Sequence, residues 1–280
     1  MPQPVNLHPD WIVPQWPAPA TVRAVCTTRA GGVSLAPFDS LNLGDHVRDE
    51  VAAVAANRLA LQQAIGARPV FLQQVHGMAV ASLDAATPDA TIADASVTAT
   101  AGVACTIMVA DCLPVLLTNR QGNRVGAAHC GWRGLAGEGE KGALEAVFES
   151  FWHLPGVDWS QLAIKKEASD TLAWLGPCIG PQAFEVGVDV REAFCAADGA
   201  AASCFRPLGA GKYLADLPAL ARQRLSRMGI TAVYGNDGGA GWCTVSNPAR
   251  YFSHRRDAVA RGGSGRLAAC VWLASRSHEP

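Results

Sequence analysis

Five short apolar runs crowd into residues 70–129: Val70 to Val75, Met78 to Leu83, Val103 to Val109, Pro114 to Thr118 and Arg124 to His129, each bounded by Gly, Asp or Pro. A helix needs roughly ten residues or more to bury a face, so runs of this length predict strands. Val22 to Thr27, Leu172 to Leu175 and Leu267 to Leu273 read the same way. Helices are predicted where apolar residues recur at helical spacing. One spans Asp49 to Ile65, with Asp49 as N-cap and Gly66 as stop; others span Leu135 to Trp152, Asp189 to Ala196 and Leu214 to Met228. Strands cluster early and helices intervene irregularly, so the expected class is α/β, with a mixed and partly antiparallel sheet rather than a strictly alternating parallel one.

Composition narrows what such a fold does. Among 280 residues, 49% are hydrophobic and 17% charged, which is incompatible with a disordered chain. No repeat or low-complexity linker divides it, so the expected organisation is an N-terminal arm over residues 1–21, rich in Pro and Trp, and a single domain over 22–280. A net charge of -1 gives no electrostatic footprint for nucleic acid. No window approaches the roughly 20 apolar residues that cross a bilayer, and the opening MPQPVNLHPDWIVPQWP lacks the basic-then-apolar order of a signal peptide. The nine cysteines are scattered, odd in number and without a CxxC pair, unlike a secreted disulfide framework. Together these features predict a reduced, cytoplasmic protein without membrane or nucleic-acid partners, acting on a small ligand.

The residues that bear chemistry are His76, Cys112 and His129, set in the blocks QQVHG, ADCLPV and AAHCGWRG. Three protein ligands leave a fourth position of a tetrahedral zinc open, as in catalytic rather than structural sites. A thiolate with two neutral imidazoles would leave such a site a net charge near +1, which lowers the pKa of coordinated water toward about 7. Their spacing carries no local signature of the HExxH kind, so ligation depends on convergence of strand ends. Taken singly, each is more often a satisfied rim or core residue. A second chemistry uses Cys112 as nucleophile and His129 as base, with Asp111 or Asp94 orienting the imidazole. Residue types alone leave both open.

A wider pattern is present. TTRAGGVS at 27–34, SLNLGDHV at 40–47, NR at 57–58, QQVHG at 73–77, ADASVT at 93–98, ADCLPVLL at 110–117 and AAHCGWRGLA at 127–136 occur in order. GPCIGPQAFEVG at 176–187, CT at 243–244, FSHRRD at 252–257 and GRLAACVWL at 265–273 follow. With these blocks the chain resembles, from about residue 22 to 274, the laccase-domain family. Its members were long labelled polyphenol oxidases and are now understood as purine nucleoside phosphorylases acting on adenosine, inosine and methylthioadenosine, with adenosine deaminase activity as well. The resemblance implies a single-domain mixed α/β sandwich like that of toxin-like cysteine hydrolases. It also implies metal ligation by His76, Cys112 and His129, with zinc as the cofactor and copper as the alternative, and purine nucleosides and phosphate as partners. Two departures are Cys130, where the family usually has Ala, and an apparent insertion, KKEASD, at 165–170. Strand alternation turns Cys130 away from its neighbour His129, so a packing role is expected rather than a fourth ligand.

Three functional classes follow. A multicopper oxidase of phenols would require about ten histidines for its blue-copper site and cluster; the chain has seven, with no HxH pair, and His8, His153 and His278 lie in terminal or helix-end positions. A binding module stabilised by zinc is the non-catalytic alternative. For phosphorolysis, donors fixed around phosphate or ribose are needed, and Arg29 beside the Gly31–Gly32 turn, Asn42, Arg133, Arg255 and Arg256 are the candidates. For deamination a carboxylate must move a proton, with Asp111 and Glu185 as candidates, although Asp111 should point away from Cys112. Trp132, Phe184 and Phe252 are candidate stacking surfaces for a purine.

Overall fold

The computed structural model describes residues 6–153 and 165–275; the C-terminal His278 and the first five residues lie outside them. Along the chain run β1 (Val22–Cys26), α1 (Val51–Ile65), β2 (Arg68–Phe71), β3 (Val80–Ser82), β4 (Ala95–Thr98), β5 (Val103–Val109), β6 (Leu113–Asn119) and β7 (Val125–Cys130). Then come α2 (Trp132–Ala136), α3 (Ala143–Trp152), α4 (Lys165–Asp170), β8 (Thr171–Leu175), β9 (Glu185–Val186) and α5 (Val188–Ala197). β10 (Phe205–Gly209), β11 (Lys212–Ala215), α6 (Leu217–Arg227), β12 (Ala232–Gly235), α7 (His254–Ala260) and β13 (Leu267–Leu273) complete the order.

Alternate residues of the central strands enter different apolar layers, and this division sets the architecture. On β5, Val103, Cys105, Ile107 and Val109 face one layer while Ala104 and Met108 face another; on β13, Leu267, Ala269 and Val271 are separated in the same way from Ala268, Cys270 and Trp272. These strands lie in a four-stranded sheet of order β1-β13-β5-β2, in which only β2 and β5 pair in parallel. A six-stranded sheet of order β12-β8-β6-β7-β4-β3 is likewise mixed. Leu116, Val125, Ala127 and Trp174 from the second sheet share the apolar layer of Ile107 and Ala269, so the two sheets pack face to face. Leu61 and Ile65 of α1 cover the outer face of the first sheet, and Leu144, Val147 and Phe148 of α3 with Leu220 and Leu225 of α6 cover the outer face of the second. The result is a mixed α/β sandwich of two sheets between helical layers, with strands that read as continuous apolar runs because both faces are buried. Cys130 lies in the layer beneath α3, on the opposite side of β7 from the sheet–sheet interface.

Several expected boundaries change. α1 starts at Val51 with Glu50 as its cap residue, because Asp49 turns its carboxylate to Ser34 Oγ (2.6 Å) and Asn42 Nδ2 (2.9 Å); Gly66 ends the helix at φ +63°. The helix expected over Leu135 to Trp152 is two helices. Gly137 adopts φ +66°, where a Cβ would lie 2.0 Å from the Lys141 carbonyl oxygen, and the GEGEKG stretch forms a tight loop before α3. The segment from Leu214 splits into the end of β11 and α6, with Asp216 accepting from the Ala219 amide and Pro218 in the first turn. KKEASD, the apparent insertion, is the helix α4. No helix among the described residues is long and apolar enough to cross a membrane.

One buried ion pair ties α3 to α6, and its arginine also holds the end of α2 and the loop after it. Arg224 pairs with Glu145 (Nη2 to Oε2, 2.9 Å) and donates to the carbonyls of Ala136 and Glu140, while Glu145 also accepts from the Gly142 amide. Removing one partner leaves a buried charge alone. We expect Arg224→Ala to cost about 3–5 kcal/mol in urea unfolding, and Arg224→Met combined with Glu145→Leu to cost clearly less; equal costs would show that the pair is not the anchor.

Candidate metal centre

Cys112 occupies the turn where the chain passes from β5 in one sheet to β6 in the other. The turn needs Asp111 in the left-handed region, at φ +90°, a costly conformation for a non-glycine residue. It is held from three directions. The Asp111 carboxylate accepts from Thr244 Oγ1 (2.5 Å) and the Arg255 amide (2.6 Å), and its carbonyl accepts from the Ile179 amide (2.9 Å). Both carboxylate oxygens are engaged in holding the turn, and Cys112 is thereby presented where the strands end.

His76 lies in the connection between β2 and β3, also left-handed at φ +62°. Gln74 fastens this connection to the end of β5: its Nε2 donates to the Met108 carbonyl, and its Oε1 accepts from the Met108 amide, both at 2.8 Å. Asp94 fastens it from the other side. That fully buried carboxylate accepts from the amides of Val75 (3.1 Å), His76 (2.8 Å) and Gly77 (2.7 Å). It also meets His129 Nδ1 at 2.8 Å. An ionised carboxylate only accepts, so Nδ1 carries the hydrogen and Nε2 of His129 offers a lone pair, as in metal-binding histidines oriented by a carboxylate.

The donor atoms of His76, Cys112 and His129 lie within 4.8 Å of one another, the only such group among the described residues. His76 Nε2 is 3.8 Å from Cys112 Sγ, and the two imidazoles meet edge to face at 4.7 Å. Zn–S near 2.3 Å and Zn–N near 2.0 Å at tetrahedral angles place sulfur and nitrogen about 3.5 Å apart, so the donor set fits the ion. His129 is buried, Cys112 half-buried and His76 exposed, which leaves the approach from the His76 side. Gly131 completes the floor. A Cβ there would lie 2.9 Å from His76 Cδ2 and 3.1 Å from Cys112 Sγ, although its φ of -64° suits any residue.

The electrostatics agree with this geometry. Burial pushes the Cys112 thiol up, but His129 and His76 outweigh it and bring it down to about 6. Burial pushes His129 down, but Cys112 and Asp94 outweigh it and raise it to about 9. Each group thus favours the charged form of the other, and a cation bound between them would take the place of the proton they compete for. A cysteine nucleophile with His129 as base would use the same pair, with His76 Nε2 3.8 Å from the same sulfur.

The other residues nominated from sequence fall into two groups. Arg29 is buried: Nε donates to Asp39 O (2.7 Å), Nη1 to Pro248 O (2.8 Å), Nη2 pairs with the Asp39 carboxylate (2.9 Å), and the guanidinium covers Phe252. Asn42, fully buried, bonds Gly44 through both ends of its amide and accepts from the Arg266 amide at 2.8 Å. Arg256 is turned to the carbonyls of Thr244, Val245 and Tyr251 and to Asp257. Arg133 and Arg255 are exposed. Arg133 lies over Trp132, two residues beyond Gly131, and Arg255 reaches the Glu185 carbonyl at 3.2 Å. Phe252 is fully buried and Phe184 nearly so, while Trp132 is partly open; the exposed Glu185 carboxylate faces Lys212 at 3.8 Å. Sequence reasoning did not single out Gln74 or Gly131, although both lie inside the quoted blocks.

Residues 23–274 match a family described as multi-copper polyphenol oxidoreductase laccase. The chain is 51% identical over 265 residues to a purine nucleoside phosphorylase of Pseudomonas aeruginosa, covering 94% of this chain and 98% of that one. It is 46% identical over 264 residues to the purine nucleoside phosphorylase YfiH of Escherichia coli, with the same coverage of both. A crystal structure from Neisseria meningitidis, protein NMB0706, superimposes with a TM-score of 0.79 at 43% identity, over 95% of this chain and all of that one.

Two substitutions test the centre. Gly131→Ala should lower zinc affinity at least tenfold in chelator competition while the metal-free melting temperature moves by only a few degrees; unchanged affinity would contradict the contact. For Asp94, burial works to raise the carboxyl, but hydrogen bonds from His129 and the Gly77 and Val75 amides outweigh it and hold it below the usual range. A depressed carboxyl contributes stability above its unfolded pKa, near 4, that is lost as pH falls through the lower native value. Asp94→Asn should therefore cost about 2–4 kcal/mol at pH 7 and flatten the decline of stability below about pH 4; a mutant with the same acid limb as the native chain would contradict this.

Proposed function

As the chain belongs to the family of multi-copper polyphenol oxidoreductase laccases, and its close relatives are named purine nucleoside phosphorylases, we propose that it is a zinc-dependent purine nucleoside phosphorylase. It would cleave adenosine, inosine and S-methyl-5'-thioadenosine with phosphate to the free base and the ribose or methylthioribose 1-phosphate, and would deaminate adenosine as a second activity. The observation that carries the reading is the His76–Cys112–His129 group, held by Asp94 and open on the His76 side. Zinc, when bound there, supplies a Lewis acid that polarises an atom brought against it.

The chain's own residues supply the rest. In phosphorolysis the bond between C1' and the purine nitrogen breaks, a phosphate oxygen bonds to C1', and the purine nitrogen takes a proton. Asp94 keeps His129 in one tautomer and one orientation, so the wall against which the nucleoside lies does not reorganise during the reaction. Arg133, whose guanidinium makes no hydrogen bond among the described residues, and Arg255 stand at the rim as substrate contacts, with Trp132 beneath Arg133 as a surface for the base. Arg29 and Asn42, with donors engaged inside the fold, act as positioning residues. The cytoplasmic assignment belongs to this reading, as purine nucleosides and phosphate are intracellular metabolites. A copper oxidase is not favoured: His76 and His129 are the only described histidines that converge with a cysteine.

The test is adenosine with and without phosphate, using zinc-loaded protein. Adenine and ribose 1-phosphate should form only with phosphate, and inosine in either case. Absence of product from adenosine, inosine and methylthioadenosine would overturn the reading. Cys112→Ala should reduce turnover at least a thousandfold with a modest change in melting temperature; loss of the fold instead would indicate a structural zinc.

A further inference from the structure

Arg266 stands beside the turn that carries Cys112, and His46 stands beside Arg266; neither has a role in holding the metal centre. β13 pairs with β5 so that Leu267 faces Val109, which sets Arg266 opposite the chain just before Asp111 and Cys112. The position is fixed by Asn42. Its Oδ1 accepts from the amides of both Arg266 (2.8 Å) and Gly44 (3.0 Å), and the Leu43 amide donates to the Arg266 carbonyl at 3.2 Å. The segment Leu43–Gly44 is thereby laid along Arg266. A Cβ on Gly44 would lie 2.7 Å from Arg266 Cγ and 3.4 Å from His46 Cε1, so the arginine stem and the imidazole meet across this glycine.

Both side chains keep donor capacity. Arg266 Nη1 donates to the carbonyls of Ser264 (2.9 Å) and Gly265 (3.1 Å), but Nε and Nη2 make no hydrogen bond among the described residues. His46 Nδ1 faces Asp45 at 3.5 Å, and its Nε2 is likewise without a partner among them. Asp45 is in turn paired with Arg58 Nη2 at 3.2 Å, and the Arg58 guanidinium lies over Phe71, so the carboxylate beside His46 is neutralised. Burial works against the Arg266 charge, and the charges on Cys112 and Asp111 favour it. A half-buried guanidinium with a free fork edge, next to a polar ring and one wall of the metal site, suits a compact tetrahedral oxyanion.

We infer that Arg266 and His46 form the subsite for inorganic phosphate, placing it against the nucleoside held at His76, Cys112 and His129. The inference rests on the phosphorolytic reading and assigns its second substrate to residues outside the ligand set. Asn42 then acts as a clamp, its amide joining the two segments that carry the phosphate contacts.

The experiment uses zinc-loaded protein and measures inorganic phosphate binding by 31P NMR, alongside the Michaelis constants for phosphate and adenosine. Arg266→Gln should weaken phosphate binding and raise the phosphate KM at least tenfold. His46→Gln, on an exposed loop that tolerates change, should do so at least threefold. Both should leave the adenosine KM within twofold and the zinc content unchanged. Phosphate binding and phosphate KM unaltered in folded, zinc-loaded His46→Gln and Arg266→Gln would overturn the subsite while leaving phosphorolysis standing. Phosphate binding that is lost in the variants, in a protein that cleaves no nucleoside, would support the subsite and overturn the phosphorylase reading instead.

Discussion

The centre depends on a single buried carboxylate. Asp94 is fully buried, and an isolated carboxylate in such a place costs many kcal/mol unless its oxygens are satisfied. It accepts from three consecutive amides, Val75 to Gly77, and from the imidazole of His129. The same charge therefore folds the left-handed loop that presents His76 and fixes the tautomer of His129. Two of the three candidate ligands are set by one group, and movement of either would cost the carboxylate part of its hydrogen bonding.

The third candidate ligand depends on topology. β5 and β6 lie in different sheets of the sandwich, so the turn between them bridges the layers, and Cys112 sits in that bridge. Asp111 absorbs the backbone strain of the crossing, with its carboxylate held by Thr244 and the Arg255 amide. Gln74 ties the His76 loop to Met108, one residue before the end of the same strand. The candidate site is thus located where strand ends of both sheets meet, and its side chains are held by polar contacts from segments far apart in sequence.

This explains what the sequence made legible. The bounds of β5 and β13 could be read from apolar runs, because burial on both faces leaves no charged residue inside them and Thr106 as the one polar side chain. β4 was not read as a strand: Ala95, Ser96, Val97 and Thr98 are buried, but small and polar residues give no such run. The break between α2 and α3 was marked by glycines in GEGEKG that an apolar pattern on either side obscured. The three candidate ligands stood out by residue type and by block, whereas their convergence is a product of the sheet pairing. Asp94 entered the sequence reading only as a partner for an imidazole. Its larger role, gathering three backbone amides, leaves no trace in residue spacing. Arg29 and Asn42 illustrate the reverse: polar residues in distinctive blocks that the fold uses internally.

The most direct test of the account is X-ray absorption at the zinc edge of the loaded protein. One metal per chain, with a single sulfur near 2.3 Å and nitrogen or oxygen neighbours near 2.0 Å, is the expected result. Loss of the sulfur shell in Cys112→Ala should accompany it. A shell without sulfur, or a native spectrum unchanged by that substitution, would contradict the centre proposed for His76, Cys112 and His129.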